Sequence, residues 1–255
     1  MKAGRIDDRF AAKINANFSG SQPRIKGLVV LGDATDGRML AVMDSIEITT
    51  LRTAAATAVA AKWLARRDAR TALVIGCGNQ GRAQLRAIRR VRPIEEVYAI
   101  DTSEDAARAF SRDTGARIVD APVEADIVVT CTPARAPVLH RAARGTFVAA
   151  VGADSSEKRE IAADLMASAK VVTDVTEQCV AIGDLRHAIV EGRMTREDVH
   201  AELGDVVACR RPGRESDDEV VVFDSTGMAL QDVAAAALVY ERALALGRGR
   251  TIEFG

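Results

Sequence analysis

The sequence has little net charge and no excess of basic residues. Its 255 residues include 35 Lys and Arg against 36 Asp and Glu, which leaves a formal charge of −1 at pH 7. Proteins that bind nucleic acid usually carry a basic excess, so this balance argues against that class and favours a small-molecule partner. Hydrophobic residues make up 48% of the chain. That share argues against intrinsic disorder and allows one large or two modest domains.

Metal-binding cysteine pairs, a signal peptide and a long apolar run are also lacking. The four cysteines are 54, 48 and 30 residues apart, so no C-x-x-C pair is present, and the three histidines have no metal-like spacing. The Ala-rich run from Ala54 to Ala61 ends at Lys62, far short of the ~20 residues of a membrane span. The charged N-terminus has no apolar segment behind it. We therefore expect a soluble cytoplasmic protein with free thiols and no metal.

Apolar runs alternate with helical stretches from residue 69 onward, which is typical of βαβ units around a parallel sheet. We predict an α/β chain with a sheet domain at 69–224, preceded by a first domain at 1–68 and followed by a returning segment at 225–255. Long helices are expected at Glu47–Arg67 and about Thr226–Leu246. Strands are expected at Leu28–Leu31 and Met39–Met43, a loop at Ser19–Pro23, and an amphipathic helical segment at Glu177–Leu203.

The strongest motif is a glycine-rich loop that follows one apolar strand and opens a helix. In Gly76-Cys-Gly78-Asn-Gln-Gly81, the first glycine permits a tight turn, the second lets the backbone approach a pyrophosphate, and the third allows close helix–strand contact. The helix N-terminus adds N–H donors and partial positive charge. Because the motif lies between a strand and a helix, it predicts a dinucleotide site.

Asp101 ends the next apolar strand, 23 residues after Gly78. A carboxylate near this offset accepts the ribose hydroxyls of NAD and repels the 2′-phosphate of NADP, so NAD is favoured. The alternative is that Asp101 caps the helix that starts near Ser103.

Small residues follow the next two strands, at Thr130-Cys-Thr132 and at Val148–Val151. Ligands bind at the carboxyl ends of parallel strands, so these residues are predicted to line the nicotinamide side of a crevice. Asp154 comes just after them and is a candidate acid or base. From spacing alone, a helix N-cap before Lys158 is the somewhat better interpretation of Asp154.

With these residues in place, the chain resembles the ornithine cyclodeaminase/mu-crystallin family, which also includes alanine dehydrogenases and ketimine reductases. Five blocks occur in the family's order. They are Phe10-Ala-Ala-Lys-Ile-Asn15, Leu51-Arg-Thr-Ala-Ala55, Val74-Ile-Gly-Cys-Gly-Asn-Gln-Gly81, Val151-Gly-Ala-Asp154 with Lys158, and Asp224-Ser-Thr-Gly-Met-Ala-Leu-Gln-Asp232.

The resemblance implies a Rossmann-type doubly wound parallel sheet inserted in a smaller α+β substrate and dimerisation domain. It implies that Lys13 and Arg52 hold the substrate carboxylate, which suits a cation pair, and that Asp154 is the acid/base. The implied NAD contacts, together with those of the glycine loop, are Gly76, Gly78, Asn79, Gln80, Gly81, Asp101, Thr130, Thr132, Val148, Ala149, Ala150, Val151, Lys158 and Ser225.

The expected activity is that of an NAD-dependent oxidoreductase of amino acid metabolism, acting as a homodimer on a small α-amino or α-imino acid. A cyclodeaminase that recycles NAD and releases ammonia is the alternative within enzymes. A non-catalytic binder of the mu-crystallin type is the alternative outside them. Family members usually have more chain before the Lys13 block, with another carboxylate-binding Arg. We expect Arg5, Arg9 or Arg24 to be a candidate replacement for that cation.

Overall fold

A computed structural model of the chain describes residues 1–18 and 25–253. The chain forms two compact units. The small unit consists of Met1–Arg52 and Met228–Gly255, and the large unit consists of Thr53–Gly227. The predicted loop at Ser19–Pro23 and the candidate cation Arg24 lie outside the described residues.

The small unit contains an antiparallel meander. Its strands are β1 Lys2–Ile6, β2 Arg9–Asn17, β3 Ile25–Asp33 and β4 Met39–Asp44, in sheet order β1-β2-β3-β4. Helix α1 Ser45–Leu64 begins in this unit and continues into the large unit.

The large unit contains an eight-stranded sheet, and six of the described α-helices lie wholly within it, together with one short 3-10 helix. Its elements, in chain order, are β5 Thr71–Ile75, α2 Asn79–Ile88, β6 Glu96–Ile100, α3 Glu104–Thr114, β7 Arg117–Ile118, β8 Ile127–Thr130, β9 Arg135–Leu139, β10 Phe147–Ala150, β11 Arg159–Ile161, α4 Ala163–Ser168, β12 Lys170–Thr173, α5 Thr176–Ile182, α6 Asp184–Val190, the 3-10 helix Arg196–Asp198, β13 Ala201–Glu202, α7 Leu203–Val207 and β14 Val221–Asp224. The last helix, α8 Ala229–Ala245, belongs to the small unit.

Helices α2 to α7 therefore lie wholly within the large unit, as does the parallel pair formed by β9 and β11.

The eight-stranded sheet is parallel throughout and doubly wound, in the order β13-β12-β14-β10-β8-β5-β6-β7. From β5 the chain builds outward through β6 and β7, and it then returns to place β8 on the other side of β5. The strand order thus reverses between β5 and β8, and such a switch point opens a crevice at the carboxyl ends of the strands. The predicted fold class is confirmed.

Both faces of this sheet are covered, as its sequence requires. In β5, Ala72 and Val74 belong to one core cluster, whereas Leu73 and Ile75 belong to another. Successive side chains of a strand point to opposite faces, so a strand buried on both sides has a continuous apolar run. This burial fixes the strand ends, and therefore the crevice, in a rigid frame.

In the small unit, α8 packs on one face of the meander. Ala11 of β2 and Val29 and Leu31 of β3 are buried together with Val233 and Ala236 of α8. The predicted strands at Leu28–Leu31 and Met39–Met43 fall within β3 and β4. The sequence interpretation did not identify β1 and β2, because Lys13 occupies an inward position of β2 and interrupts its apolar alternation.

The expected helical segment at Glu177–Leu203 is wrong as a continuous element. The structure divides it into α5, α6, a 3-10 turn and β13. Between α5 and α6, Gly183 is extended, and a Cβ at this position would lie 2.6 Å from Asp224 Oδ2. The helix stops there because the chain must make room for a buried carboxylate, which helical periodicity does not reveal.

Candidate functional site

The glycine-rich loop lies at the carboxyl end of β5, at the switch point of the sheet. Gly76 has a φ of 106°, and a Cβ on Gly81 would overlap the carbonyl oxygen of Gly76. A Cβ on Gly78 would meet nothing within 4 Å, so the backbone there is open to a ligand. Gln80 Nε2 is buried without a hydrogen-bond partner among the described residues. An open backbone and an unused donor at the start of α2 fit a pyrophosphate.

Asp101 follows β6 and fixes the loop beside it. Its Oδ2 accepts a hydrogen bond from the backbone N–H of Cys77 at 2.7 Å, and its Oδ1 accepts one from Ser103 at 2.8 Å. Ser103 itself is the N-cap of α3, so the alternative in which Asp101 caps that helix is wrong. Each carboxylate oxygen keeps a free acceptor position for a ribose hydroxyl.

A cavity of about 300 Å³ adjoins Asp101. Its polar lining comes from Asp101, Glu104, Arg108 and Asp120, and its apolar lining includes Ile100 and Ile118. Three carboxylates against one guanidinium give this cavity an acidic lining, which disfavours a phosphate on the ribose.

The predicted crevice residues at the ends of β8 and β10 lie side by side, because these strands are neighbours with Ala150 paired to Thr130. Thr130, Val148, Ala149, Ala150 and Val151 are buried, whereas Thr132 is half-buried. Of this set, Thr132 therefore presents the most accessible polar group.

Glu160, which the sequence interpretation missed, connects these strand ends. The fully buried carboxylate accepts hydrogen bonds from the hydroxyl groups of Thr130 and Thr132 and from the backbone N–H groups of Thr132 and Gly152. Burial and the nearby Asp184 raise the pKa of Glu160 to about 7. The only sequence signal was its place two residues after Lys158, which belongs to one of the five blocks shared with the family.

Two further buried carboxylates, those of Asp184 and Asp224, are linked to Glu160 through backbone hydrogen bonds. Asp184 Oδ1 accepts the backbone N–H groups of Glu160 and Ile161 at 2.7 and 2.8 Å, and Asp224 Oδ2 accepts that of Leu185 at 2.9 Å. Burial raises the pKa of Asp184 to about 6 and raises that of Asp224 well above its usual range. We refer to Glu160, Asp184 and Asp224 as the acid relay.

Asp154 lies in an exposed turn after β10 and pairs with Lys158, whose Nζ is 2.6 Å from Asp154 Oδ1. The chain continues into strand β11, so the helix N-cap interpretation of Asp154 is wrong. The carbonyl oxygen of Lys158 is 2.9 Å from His187 Nε2. Asp154 thus keeps an accessible carboxylate beside a cation.

Ser225, a predicted NAD contact, is held by a second acid that the sequence interpretation missed. Asp174 accepts hydrogen bonds from Ser225 Oγ at 3.1 Å, Thr226 Oγ1 at 3.3 Å and the Gly227 N–H at 2.5 Å. Asp174 therefore fixes the shape of the loop that follows β14.

In the small unit, Lys13 and Arg52 converge on one carboxylate. Asp232 Oδ1 is 2.7 Å from Lys13 Nζ and 3.1 Å from Arg52 Nε, and all three side chains are less than a tenth exposed. Arg52 also donates to Gln231 Oε1 at 3.0 Å. Burial and the charge of Arg52 lower the pKa of Lys13 to about 8. We refer to Lys13, Arg52 and Asp232 as the cation cluster.

The two candidate replacement cations that the structure describes, Arg5 and Arg9, are engaged elsewhere. Arg5 donates to the Asp7 carbonyl, and Arg9 pairs with Asp8 and Asp33. Within residues 1–18 and 25–253, no group of three His, Cys, Asp or Glu side chains is placed to hold a metal ion. The four cysteines are free thiols. Among the described helices, none is long and apolar enough to cross a membrane.

A doubly wound parallel sheet with a glycine loop at its switch point and an acid after the next strand defines a protein of the dinucleotide-binding Rossmann class. The model of the ornithine cyclodeaminase/mu-crystallin family matches residues 10–247. The chain belongs to this family, as the sequence resemblance indicated.

Known relatives agree with this assignment. An alanine dehydrogenase of Archaeoglobus fulgidus is 43% identical over 241 residues, which cover 91% of this chain and 75% of that protein. An archaeal alanine dehydrogenase dimer solved with bound NAD has a TM-score of 0.94 at 39% identity, covering 99% of this chain and 83% of the other.

A Δ1-pyrroline-2-carboxylate reductase of Thermococcus litoralis, solved with NADH and L-proline, has a TM-score of 0.91 at 30% identity. The match covers 99% of this chain and 89% of that one. These relatives agree with the predicted oxidoreductase class and with NAD as the cofactor.

Proposed function

We propose that this protein is an NAD-dependent oxidoreductase that acts on a small α-amino or α-imino acid. The observation that carries the substrate class is the cation cluster, in which two buried cations share one carboxylate oxygen. One carboxylate does not neutralise two cations, so the cluster retains positive charge that suits a substrate carboxylate. An Arg in this place also allows bidentate binding.

The cofactor residues lie in the large unit. The Gly76–Gly81 loop and the start of α2 would hold the pyrophosphate, and Asp101 the adenosine ribose. Thr132, the segment Val148–Val151 and Ser225 would border the nicotinamide half, with Asn79, Gln80 and Lys158 as further contacts. When bound, NAD supplies a ring that accepts or returns hydride.

Asp154 is the proposed acid/base. Its Oδ1 is 2.6 Å from Lys158 Nζ, and the carboxylate can take a proton from an amino nitrogen or from water. In the direction of reduction, the same carboxyl returns that proton. Its exposed position in a turn leaves room for a substrate to approach.

We also infer a homodimer and a cytoplasmic location. The meander face opposite α8 carries the exposed apolar side chains of Ile14, Leu28 and Val42. Ile14 is paired to Leu28, and the half-buried Val30 is paired to Val42 across the strands. Such a face fits a contact with a second copy, and an archaeal relative is described as a dimer. Free thiols fit a reducing compartment.

The activity is tested with the purified full chain and a panel of amino acids, and of keto acids with ammonia or amines. A dehydrogenase or reductase changes the NADH absorbance. Ammonia release without net NADH would instead identify a cyclodeaminase, and thermal stabilisation by NAD without turnover would identify a binder.

Asp154→Asn is expected to lower kcat by about 10²- to 10⁴-fold while NADH still binds, because the proton transfer is lost and the dinucleotide contacts remain. Asp164→Asn is the matched control, since Asp164 lies on the surface in an exposed pair with Arg193. Full turnover in the Asp154 variant would disprove its assigned role.

A further inference from the structure

The buried carboxylate of Glu160 accepts four hydrogen bonds, two on each oxygen. Its Oε1 accepts the Thr132 N–H at 2.6 Å and the Thr132 hydroxyl at 2.7 Å. Its Oε2 accepts the Gly152 N–H at 2.7 Å and the Thr130 hydroxyl at 2.8 Å. One side chain thus ties the segment after β8 to the segment after β10.

The hydrogen-bond donors around Glu160 favour a glutamate carboxylate over a glutamine amide at this position. Each oxygen of Glu160 faces a backbone N–H, so the NH₂ group of a glutamine would face an N–H donor in either orientation. Gly152 is matched to this arrangement, because a Cβ there would lie 2.5 Å from Glu160 Cδ. Glu160 and Gly152 therefore form a complementary pair.

The same contacts set the hydrogen-bonding direction of Thr132. Its hydroxyl proton is used on Glu160, and its oxygen accepts the Ala134 N–H at 3.2 Å. A hydroxyl has one donor and two acceptor positions, so one acceptor position remains. Thr132, which is half-buried, therefore offers a ligand an acceptor while Glu160 is ionised.

We propose that Glu160 is a positioning residue for the nicotinamide half of the dinucleotide: it fixes the two crevice segments and presents Thr132 as an acceptor for a ribose hydroxyl or a carboxamide N–H. This inference rests on the proposed function. Glu160 itself need not touch the ligand.

Protonation of Glu160 weakens this arrangement, because a neutral carboxyl is a poorer acceptor than a carboxylate. Titratable groups near it are Asp184, reached through α6, and Cys131, after β8. Burial raises the pKa of both groups. The pKa of Asp184, about 6, is therefore close to that of Glu160, whereas the Cys131 thiol stays neutral around pH 7. With the pKa of Glu160 raised to about 7, dinucleotide binding is expected to tighten as pH rises through neutrality.

The experiment measures NADH binding by fluorescence, from about pH 5.5 to about pH 8.5, for the wild-type protein and Glu160→Gln. The variant is expected to bind about three- to tenfold more weakly above pH 7 and to lose the pH step. Glu157→Gln is the matched control, because Glu157 is an exposed carboxylate three residues away. It is expected to behave as the wild type.

A second pair of variants covers the case in which Glu160→Gln does not fold. Thr132→Ser keeps the hydroxyl and is expected to bind NADH as the wild type does. Thr132→Val lacks the hydroxyl and is expected to bind at least threefold more weakly above pH 7.

The outcomes separate this inference from the function beneath it. Wild-type affinity and an unchanged pH step in Glu160→Gln, or equal affinities of the two Thr132 variants, would overturn the positioning role alone. Failure of the wild-type protein to bind NADH would overturn the proposed function and the positioning role together.

Discussion

The two units bury charge in opposite ways. In the small unit, the cation cluster places Lys13 and Arg52 around Asp232, so that opposite charges meet. In the large unit, the acid relay buries Glu160, Asp184 and Asp224 with hydrogen bonds from N–H and hydroxyl donors. Burial therefore lowers the pKa of Lys13 and raises the pKa values of the three acids.

This difference shows that one chain can stabilise buried charge in two ways, by ion pairing and by hydrogen bonding. In the proposed function, the cation cluster retains positive charge for the substrate carboxylate, and neutralising that charge is expected to weaken substrate binding. The acid relay instead holds backbone segments in place, and its charge depends on pH. The first arrangement acts through charge on a ligand, whereas the second acts through the geometry of strand ends.

The largest expected effect comes from removing the carboxylate of the cation cluster. Asp232→Ala leaves two buried cations without compensation and is expected to lower the free energy of unfolding by about 3–5 kcal/mol. Urea denaturation of the wild type and the variant measures this loss in the free energy of unfolding. Asp36→Ala, in an exposed pair with Arg38, is the control and should cost at most ~1 kcal/mol. Equal losses in both variants would contradict the distinction between buried and exposed pairs.

A smaller effect is expected when the acid relay is titrated. The pKa of Glu160 is raised from 4.5 to about 7, so the folded state holds a proton that the unfolded state releases within this window. Stability therefore falls as pH rises through it, by an amount on the order of 3 kcal/mol from Glu160. Glu160→Gln is expected to show a smaller fall in the free energy of unfolding between about pH 5 and about pH 8. If the free energy of unfolding changed equally with pH in the wild type and in Glu160→Gln, Glu160 would not titrate in this pH range.

The smallest expected effect concerns Lys13 in catalysis. Its pKa, lowered to about 8, means that the cation is lost above that pH. The ratio kcat/KM is expected to fall by about tenfold per pH unit well above pH 8, because the substrate carboxylate loses a partner. Lys13→Arg should remove this fall, since a guanidinium stays charged. Lys26→Arg, at an exposed position of β3, is the control; a fall that persists in Lys13→Arg would assign it to another group.

Much of the large unit could be predicted because its signals are local. The apolar runs of β5, β6, β8 and β10 and the glycines at Gly76–Gly81 each have a physical requirement that a short window of sequence contains. The chain divides into its two units at residues 52/53 and 227/228. This division depends on contacts between segments that are distant in sequence, so no short stretch of sequence reveals it.

The missed residues share one property. Glu160, Asp174 and Asp232 act on partners that are distant in sequence or topology: Asp232 is 219 residues from Lys13, and Asp174 is 53 from Gly227. A buried acid is indistinguishable from a surface acid in a sequence until its partners are known. Asp232 is the last residue of the Asp224–Asp232 block shared with the family, yet no neighbouring residue in the sequence indicates its role.

The sequence by itself determined the family, the dinucleotide motif and the candidate residues Lys13, Arg52, Asp101 and Asp154, because each depends on residue type and spacing along the chain. Only the tertiary structure decided that one oxygen of Asp232 receives both cations and that Glu160 joins two strand ends. The physical reason is that charge and hydrogen-bond direction depend on burial and on neighbours, which exist only after the chain has folded.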